Sequence, residues 1–174
     1  MKKLFFAALA VFTFANINAQ DEGGSATSEG TLLIEANTGN AMLGTTGVYF
    51  TSSDGESTYN IGFDGGYFIM DDLAIKAGLG YGGGSEDFVA SVLSYRLGAK
   101  YYVNSQFPIG IDVTGASIED ADQNPLWLGL QGGYAWFVAD NVAIEPGLRY
   151  NLSLNEDFTD EGVLQFNIGF TLFL

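Results

Sequence analysis

The chain has 174 residues, with 21 acidic side chains against six basic ones, a formal net charge of -15, and neither histidine nor cysteine. This balance excludes nucleic acid or anionic lipid bound through a basic patch. The missing residue types exclude Ser-His-Asp, Cys-His and His-metal chemistry as well as a disulfide framework.

Export is read from the first residues. Lys2 and Lys3 precede an apolar run from Leu4 to Ala15, and Ile17-Asn18-Ala19 before Gln20 resembles a cleavage site, so residues 1–19 are expected to be a signal peptide. The run is shorter than the ~20 residues of a spanning helix, and no later stretch is apolar enough to be one, so any membrane crossing falls to strands. Residues 20–30 are acidic and rich in Gly and Ser, which predicts a flexible tail. Residues 31–174 read as one domain.

The first strand is expected over Thr31 to Thr38, with Leu32, Ile34 and Ala36 on one face and Leu33, Glu35 and Asn37 on the other. Gly39 to Ser57 is the longest connection, in which Val48, Tyr49 and Phe50 would extend a hairpin. A second strand runs from about Thr58 to Ile69. After the turn at Met70, Asp71 and Asp72, a third runs from Leu73 to Tyr81. Beyond the loop Gly82 to Asp87, a fourth (about Phe88 to Val103) and a fifth (Phe107 to Gly115) are joined at Asn104-Ser105-Gln106. Ala116 to Pro125 is a loop.

The clearest alternation follows. Leu128, Leu130, Tyr134, Trp136 and Val138 oppose Trp127, Gly129, Gln131, Gly133, Ala135 and Phe137. The chain turns over Ala139 to Asn141, and Val142 to Leu154 then alternates the same way. Period-2 patterning on both sides of a short turn is a β-hairpin. Asn155 to Gly162 is the last loop, and the final strand carries Leu164, Phe166, Ile168, Phe170, Leu172 and Leu174 against Gln165, Asn167, Gly169 and Thr171.

The expected fold is therefore all-β: an eight-stranded antiparallel up-and-down transmembrane β-barrel after an N-terminal signal peptide. Connections alternate long and short, and the long ones carry most of the acids, which is the loop pattern of an outer-membrane barrel. The run from Gly65-Gly66-Tyr67 to Tyr81 is echoed from Gly132-Gly133-Tyr134 to Tyr150, which speaks of repeated hairpins and not of activity. Outward aromatics gather near the strand ends, as in the two girdles of a barrel crossing a bilayer.

The inward face is where charge collects. Lys76, Arg96, Lys100 and Arg149 share its parity with Glu35, Asp64, Asp112 and Glu145. Folding the hairpins about their turns sets Asp112 diagonal to both Lys100 and Arg96, and Asp64 diagonal to Lys76, with glycines opposite. An ion-pair network filling the lumen is predicted, since eight strands leave an interior just wide enough for side chains.

With these features the chain resembles the small outer-membrane β-barrel family of Gram-negative bacteria, of the eight-stranded OmpA/OmpX type. The resemblance covers Thr31 to Leu174 and rests on strand pattern, loop alternation and the last strand. It implies location in the outer membrane, contact with lipid and lipopolysaccharide, and passage through periplasmic chaperones and the barrel assembly machinery. In that family the machinery reads a final strand ending in an aromatic. Phe166, Ile168, Phe170 and Leu172 match that signal, while Leu174 stands where Phe is usual.

The implied function is an integral outer-membrane barrel with a structural or surface-interaction role, with no catalytic residue, cofactor or metal site. A paired-carboxylate hydrolase is the enzyme the composition leaves open, and the inward acids have basic partners instead. A narrow porin-like ion channel and a soluble lipocalin-like carrier of an apolar ligand are the alternative readings. Asp120-x-Asp122-x-Asn124 opens like a calcium loop but lacks its Gly and distal Glu. Gly78-x-Gly80-x-x-Gly83 has no helix after it. The acidic loops, with Glu119, Asp120 and Asp122 in one and Glu156, Asp157, Asp160 and Glu161 in another, offer divalent cations a bridge to lipopolysaccharide or simply keep the surface hydrated.

Overall fold

A computed structural model describes residues 25–85 and 90–174. The signal peptide expected over residues 1–19 lies outside them. The strands are β1 (Leu32–Asn37), β2 (Tyr49–Ser53), β3 (Glu56–Met70), β4 (Leu73–Gly84), β5 (Val92–Val103), β6 (Phe107–Ile118), β7 (Leu126–Gly133), β8 (Trp136–Ala139), β9 (Val142–Ser153) and β10 (Val163–Phe173). Every pairing between these strands is antiparallel and joins neighbours in the chain, except that β7 as well as β8 pairs with β9, and that β1 pairs with both β10 and β3 and so closes the sheet on itself.

Ten strands make eight staves. β7 and β8 are halves of one, interrupted at Tyr134 and Ala135. Both halves pair with β9, but the Ala135 amide turns aside to the Gln106 carbonyl. β1 and β2 likewise share one side of β3, Glu35 facing Asp64 and Tyr49 facing Asn60.

Side chains follow the pleat with little exception. On β5, Leu97 is 64% exposed while its neighbour Arg96 is 4% exposed. Leu79, Leu148, Phe63, Phe166 and Phe170 are also turned outward, more than half exposed. This is the reverse of a soluble hairpin, where the apolar face is the buried one. Tight turns join β3 to β4, β5 to β6 and β8 to β9 at one end, and longer segments lie at the other.

Two segments depart from the sequence-based expectation. The stretch Gly39 to Ser57 was expected to be one connection, but Tyr49–Ser53 is a strand, and residues 39–47 turn into the barrel. They form an Ω-loop with a short 3-10 turn (Ala41–Leu43), closed where Thr38 bridges Val48 and the Val48 amide donates to the Asn37 carbonyl at 2.6 Å. A Cβ at Gly47 would lie 2.7 Å from both the Asn37 carbonyl oxygen and the Gly39 nitrogen, so only glycine lets the two legs meet there. Period-2 reasoning has no signature for a loop that folds inward, because its polar groups find partners only after the barrel closes.

The expected flexible tail, where it is described, is held in place. Thr27 is fully buried, donates from Oγ1 to Asp72 Oδ1 at 2.5 Å, and accepts the Asp72 amide on its carbonyl. Gly30 donates to the Phe68 carbonyl. A Gly/Ser-rich composition describes an unfolded segment well, yet the unsatisfied backbone of the β3–β4 turn supplies the partners that order it.

Candidate functional site: a lumen filled in three layers

The middle layer is ionic. All eight charged residues of inward parity are buried, and seven ion pairs join them into one unbranched chain of alternating sign. It runs from Glu145 to Lys100, then to Glu35 (2.6 Å), Lys76 (2.8 Å), Asp64 (3.3 Å), Arg96 (2.7 Å), Asp112 (3.5 Å) and Arg149 (2.6 Å). The diagonal geometry brings Asp112 to Arg96 and Asp64 to Lys76. Lys100 is not held by Asp112, because its flexible stem reaches across the lumen to Glu35 and Glu145 instead. Hairpin geometry describes neighbours along the wall and misses contacts made across the interior.

Neutral groups complete the charges. Arg149 holds Asp112 through both terminal nitrogens at 2.6 Å, the bidentate arrangement a planar guanidinium favours, and also donates to Gln131 Oε1. Thr114 Oγ1 accepts from Arg96 Nε and donates to Asp112 Oδ1. Glycines opposite make room: a Cβ at Gly78 would collide with Asp64, at Gly98 with Asp112, and at Gly129 with the Arg149 guanidinium. The two ends of the chain, Glu145 and Arg149, lie on the same strand and flank a cavity of about 30 Å³ that Lys100 and Gln131 also line.

At the short-turn end the lumen is apolar. Phe68, Tyr102 and Phe173 meet pairwise with ring centroids 5.9 to 6.2 Å apart, Phe137 stacks on Phe173 at 5.6 Å, and Leu33, Ala74, Ala135 and Ala143 fill the remainder. Tyr102 couples this floor to the ions above it, for its hydroxyl donates to Glu145 Oε1 at 2.7 Å and Lys100 Nζ sits 5.1 Å from its ring centre. Period-2 alternation along β3, β5 and β8 puts Phe68, Tyr102 and Phe137 on the inward parity, but it does not identify a cluster. The available signal was four large aromatics of inward parity, Phe68, Tyr102, Phe137 and Phe173, all within a few residues of the short turns or the C-terminus.

At the long-loop end the Ω-loop is the stopper. Its backbone carbonyls serve as acceptors: Gly44 for Arg96 Nη2, Leu43 for Asn151 Nδ2 and Gln165 Nε2 at 2.6 Å each, and Gly47 for Asn60 Nδ2. Thr46 donates to Asp64, tying the stopper to the ion chain. Gly44, left-handed at the end of the 3-10 turn, lies flat against the buried Trp127, with 3.0 Å between the ring and where a Cβ would be. None of these partners was legible beforehand, because they join residues up to 122 positions apart.

The residues of the expected assembly signal, Phe166, Ile168, Phe170, Leu172 and Leu174, lie along β10 or at its end, with Phe166 and Phe170 fully outward. Among the described residues no three His, Cys, Asp or Glu side chains gather with metal-binding geometry.

No known family's sequence profile matches the chain, and neither does any curated protein sequence. Solved eight-stranded outer-membrane barrels are similar to it in shape. The N-terminal β-barrel domain of Pseudomonas aeruginosa OprF is 16% identical over 84% of this chain and 98% of that one, with a TM-score of 0.49. Neisserial surface protein A is 18% identical over 87% and 99%, with a TM-score of 0.47, and the Yersinia pestis outer membrane protein Ail is 12% identical over 84% and 99%, also at 0.47. On its own strand pairing, the chain is a closed eight-stranded antiparallel β-barrel.

Proposed function

We propose that this chain is an integral outer-membrane β-barrel with a structural or surface-interaction role, its lumen filled and its work done by the outer wall and the long-loop end. The observation that carries this reading is the inversion of the pleat, with leucine, isoleucine and phenylalanine outward and an alternating chain of eight ions inward. A lipid environment stabilises such a wall, and water penalises it. The long loops face the cell exterior in this reading. Lipid and lipopolysaccharide surround the wall, the assembly machinery and periplasmic chaperones deliver it through the outward residues of β10, and divalent cations meet the acidic loops loosely.

The filled interior supports a passive barrel over a channel. Aromatic floor, ion chain and Ω-loop each cross the lumen, and the cavity of about 30 Å³ between Glu145 and Arg149 is too small and too polar for a carrier's apolar ligand. Two measurements test the reading. Membrane fractionation with heated and unheated gel samples should place the chain in the outer membrane as a heat-modifiable band. Planar-bilayer recording should give no steady conductance. Sustained current altered by Arg96→Ala would favour the narrow channel instead.

A further inference from the structure

The barrel wall is incomplete at its long-loop end. At the level of Thr38 two chain segments lie between β10 and β3: the Thr38 amide donates to the Ile168 carbonyl, and Thr38 itself bridges Val48. Above that level Thr38's lane ends, because the chain turns inward into the Ω-loop, while β2 continues beside β3 and β10 continues beside β9. Among the described residues no pairing joins β2 to β10. With strands spaced ~4.8 Å apart, this leaves a slot one strand wide, about 10 Å between the flanking backbones.

Among the described residues the edges of the slot present main-chain groups that no strand pairs. Thr38 bonds to Ile168, so the even-numbered residues of β10 direct their amides and carbonyls toward the slot, Leu164 and Phe166 included, with the Phe166 carbonyl alone met by the Asn167 side-chain amide at 3.0 Å. On β3, Phe68 bonds to Gly30 and Thr31, which puts Asn60, Thr58 and Glu56 on the side that β2 uses through Tyr49, Thr51 and Ser53. Phe50 and Ser52 therefore turn theirs into the slot. Phe50 (70% exposed) and Phe166 (65% exposed) flank it with apolar side chains, and exposed acids stand at its mouth, Asp54 and Glu56 on one side and Asp160 and Glu161 on the other.

We propose that this slot is a docking site for an extended, positively charged polypeptide segment of a partner outside the cell, taken up as an additional strand between β2 and β10. Open sheet edges on both sides, set two strand spacings apart, are complementary to a main chain and to nothing else of that width. An acyl chain would fit by size but leaves every amide and carbonyl unpaired. The acids at the mouth fit basic residues flanking the inserted part. The proposal gives chemical content to the surface-interaction role and rests on that reading.

The test uses the protein refolded in phosphatidylcholine nanodiscs and, as probe, an eight-residue peptide of alternating valine and threonine with two lysines added at each end, carrying a fluorophore and a photo-crosslinker. Saturable one-to-one binding is expected, with crosslinks falling on β2 and β10. Ser52→Pro and Leu164→Pro each delete an amide that faces the slot and not the neighbouring strand, so the heat-modifiable band should persist while affinity falls about ten-fold, the worth of one hydrogen bond. Asp160→Asn with Glu161→Gln should weaken binding a few-fold at low salt. Absent or unsaturable binding, crosslinks confined to the loops, or proline variants with unchanged affinity would overturn the proposal. So would a lipid retained in the slot on native mass spectrometry in place of the peptide. Should a proline variant fail to fold, the wild-type crosslink map decides. Loss of the heat-modifiable band in the wild type would refute the membrane barrel itself, a separate failure.

Discussion

The aromatic floor and the ion chain fill adjacent slices of one barrel with opposite chemistry, and they differ in what a single change does to them. In the floor, Phe68, Tyr102 and Phe173 gain by area and contact, so a substitution loses only what its own atoms touched. In the ion chain each interior member neutralises two neighbours, so deleting one leaves two buried charges short of a partner. The floor is additive, whereas the chain is all or nothing. A buried ion chain is consequently a poor source of net stability and a strong constraint on which residues can occupy the lumen together.

The largest expected effect breaks the chain at its third member, where one carboxylate holds two lysines. Glu35→Ala leaves Lys76 with Asp64 alone and Lys100 with Glu145 alone, two buried lysines each short of a carboxylate, and should cost ~3–5 kcal/mol in denaturant unfolding of the refolded protein followed by tryptophan fluorescence. A loss under about 1 kcal/mol would mean water reaches the lumen freely, and the contrast with the floor would vanish. Next comes Lys100→Met, which preserves bulk and removes charge. It should cost about 3 kcal/mol, since Glu145 keeps only the Tyr102 hydroxyl and Glu35 keeps Lys76. Phe68→Leu is the matched change below it, apolar for apolar, and should stay under ~1.5 kcal/mol in the same assay. If the two proved equal, bulk and not charge would govern this interior. The smallest effect belongs to Gln131→Ala, which removes one 3.2 Å bond at the open end of the chain and should cost ~0.5–1.5 kcal/mol. A cost as large as that of Glu35→Ala would show that the cavity beside Arg149 is part of the network.

Much of this interior could be read beforehand. Inward parity identified Glu35, Asp64, Lys76, Arg96, Lys100, Asp112, Glu145 and Arg149, because a pleated strand assigns faces by odd and even number alone. The partners of Lys100 could not be read that way. They lie across the barrel, and reach across a lumen depends on how far the sheet is staggered when it closes. The Ω-loop was equally hidden. Gly39 to Gly47 has the composition of any loop, and its inward course depends on Asp64, Arg96, Asn60, Asn151 and Gln165 being assembled to receive its hydroxyl and carbonyls.

The sequence by itself determined an all-β architecture of short strands with apolar residues outside and charge within, since alternation is a local property that each strand carries alone. The tertiary structure decided which charge meets which, how the two ends of the lumen are sealed, and where the wall between β2 and β10 lacks a strand. Those features join residues distant in the chain, and only closure of the barrel brings them within reach of one another.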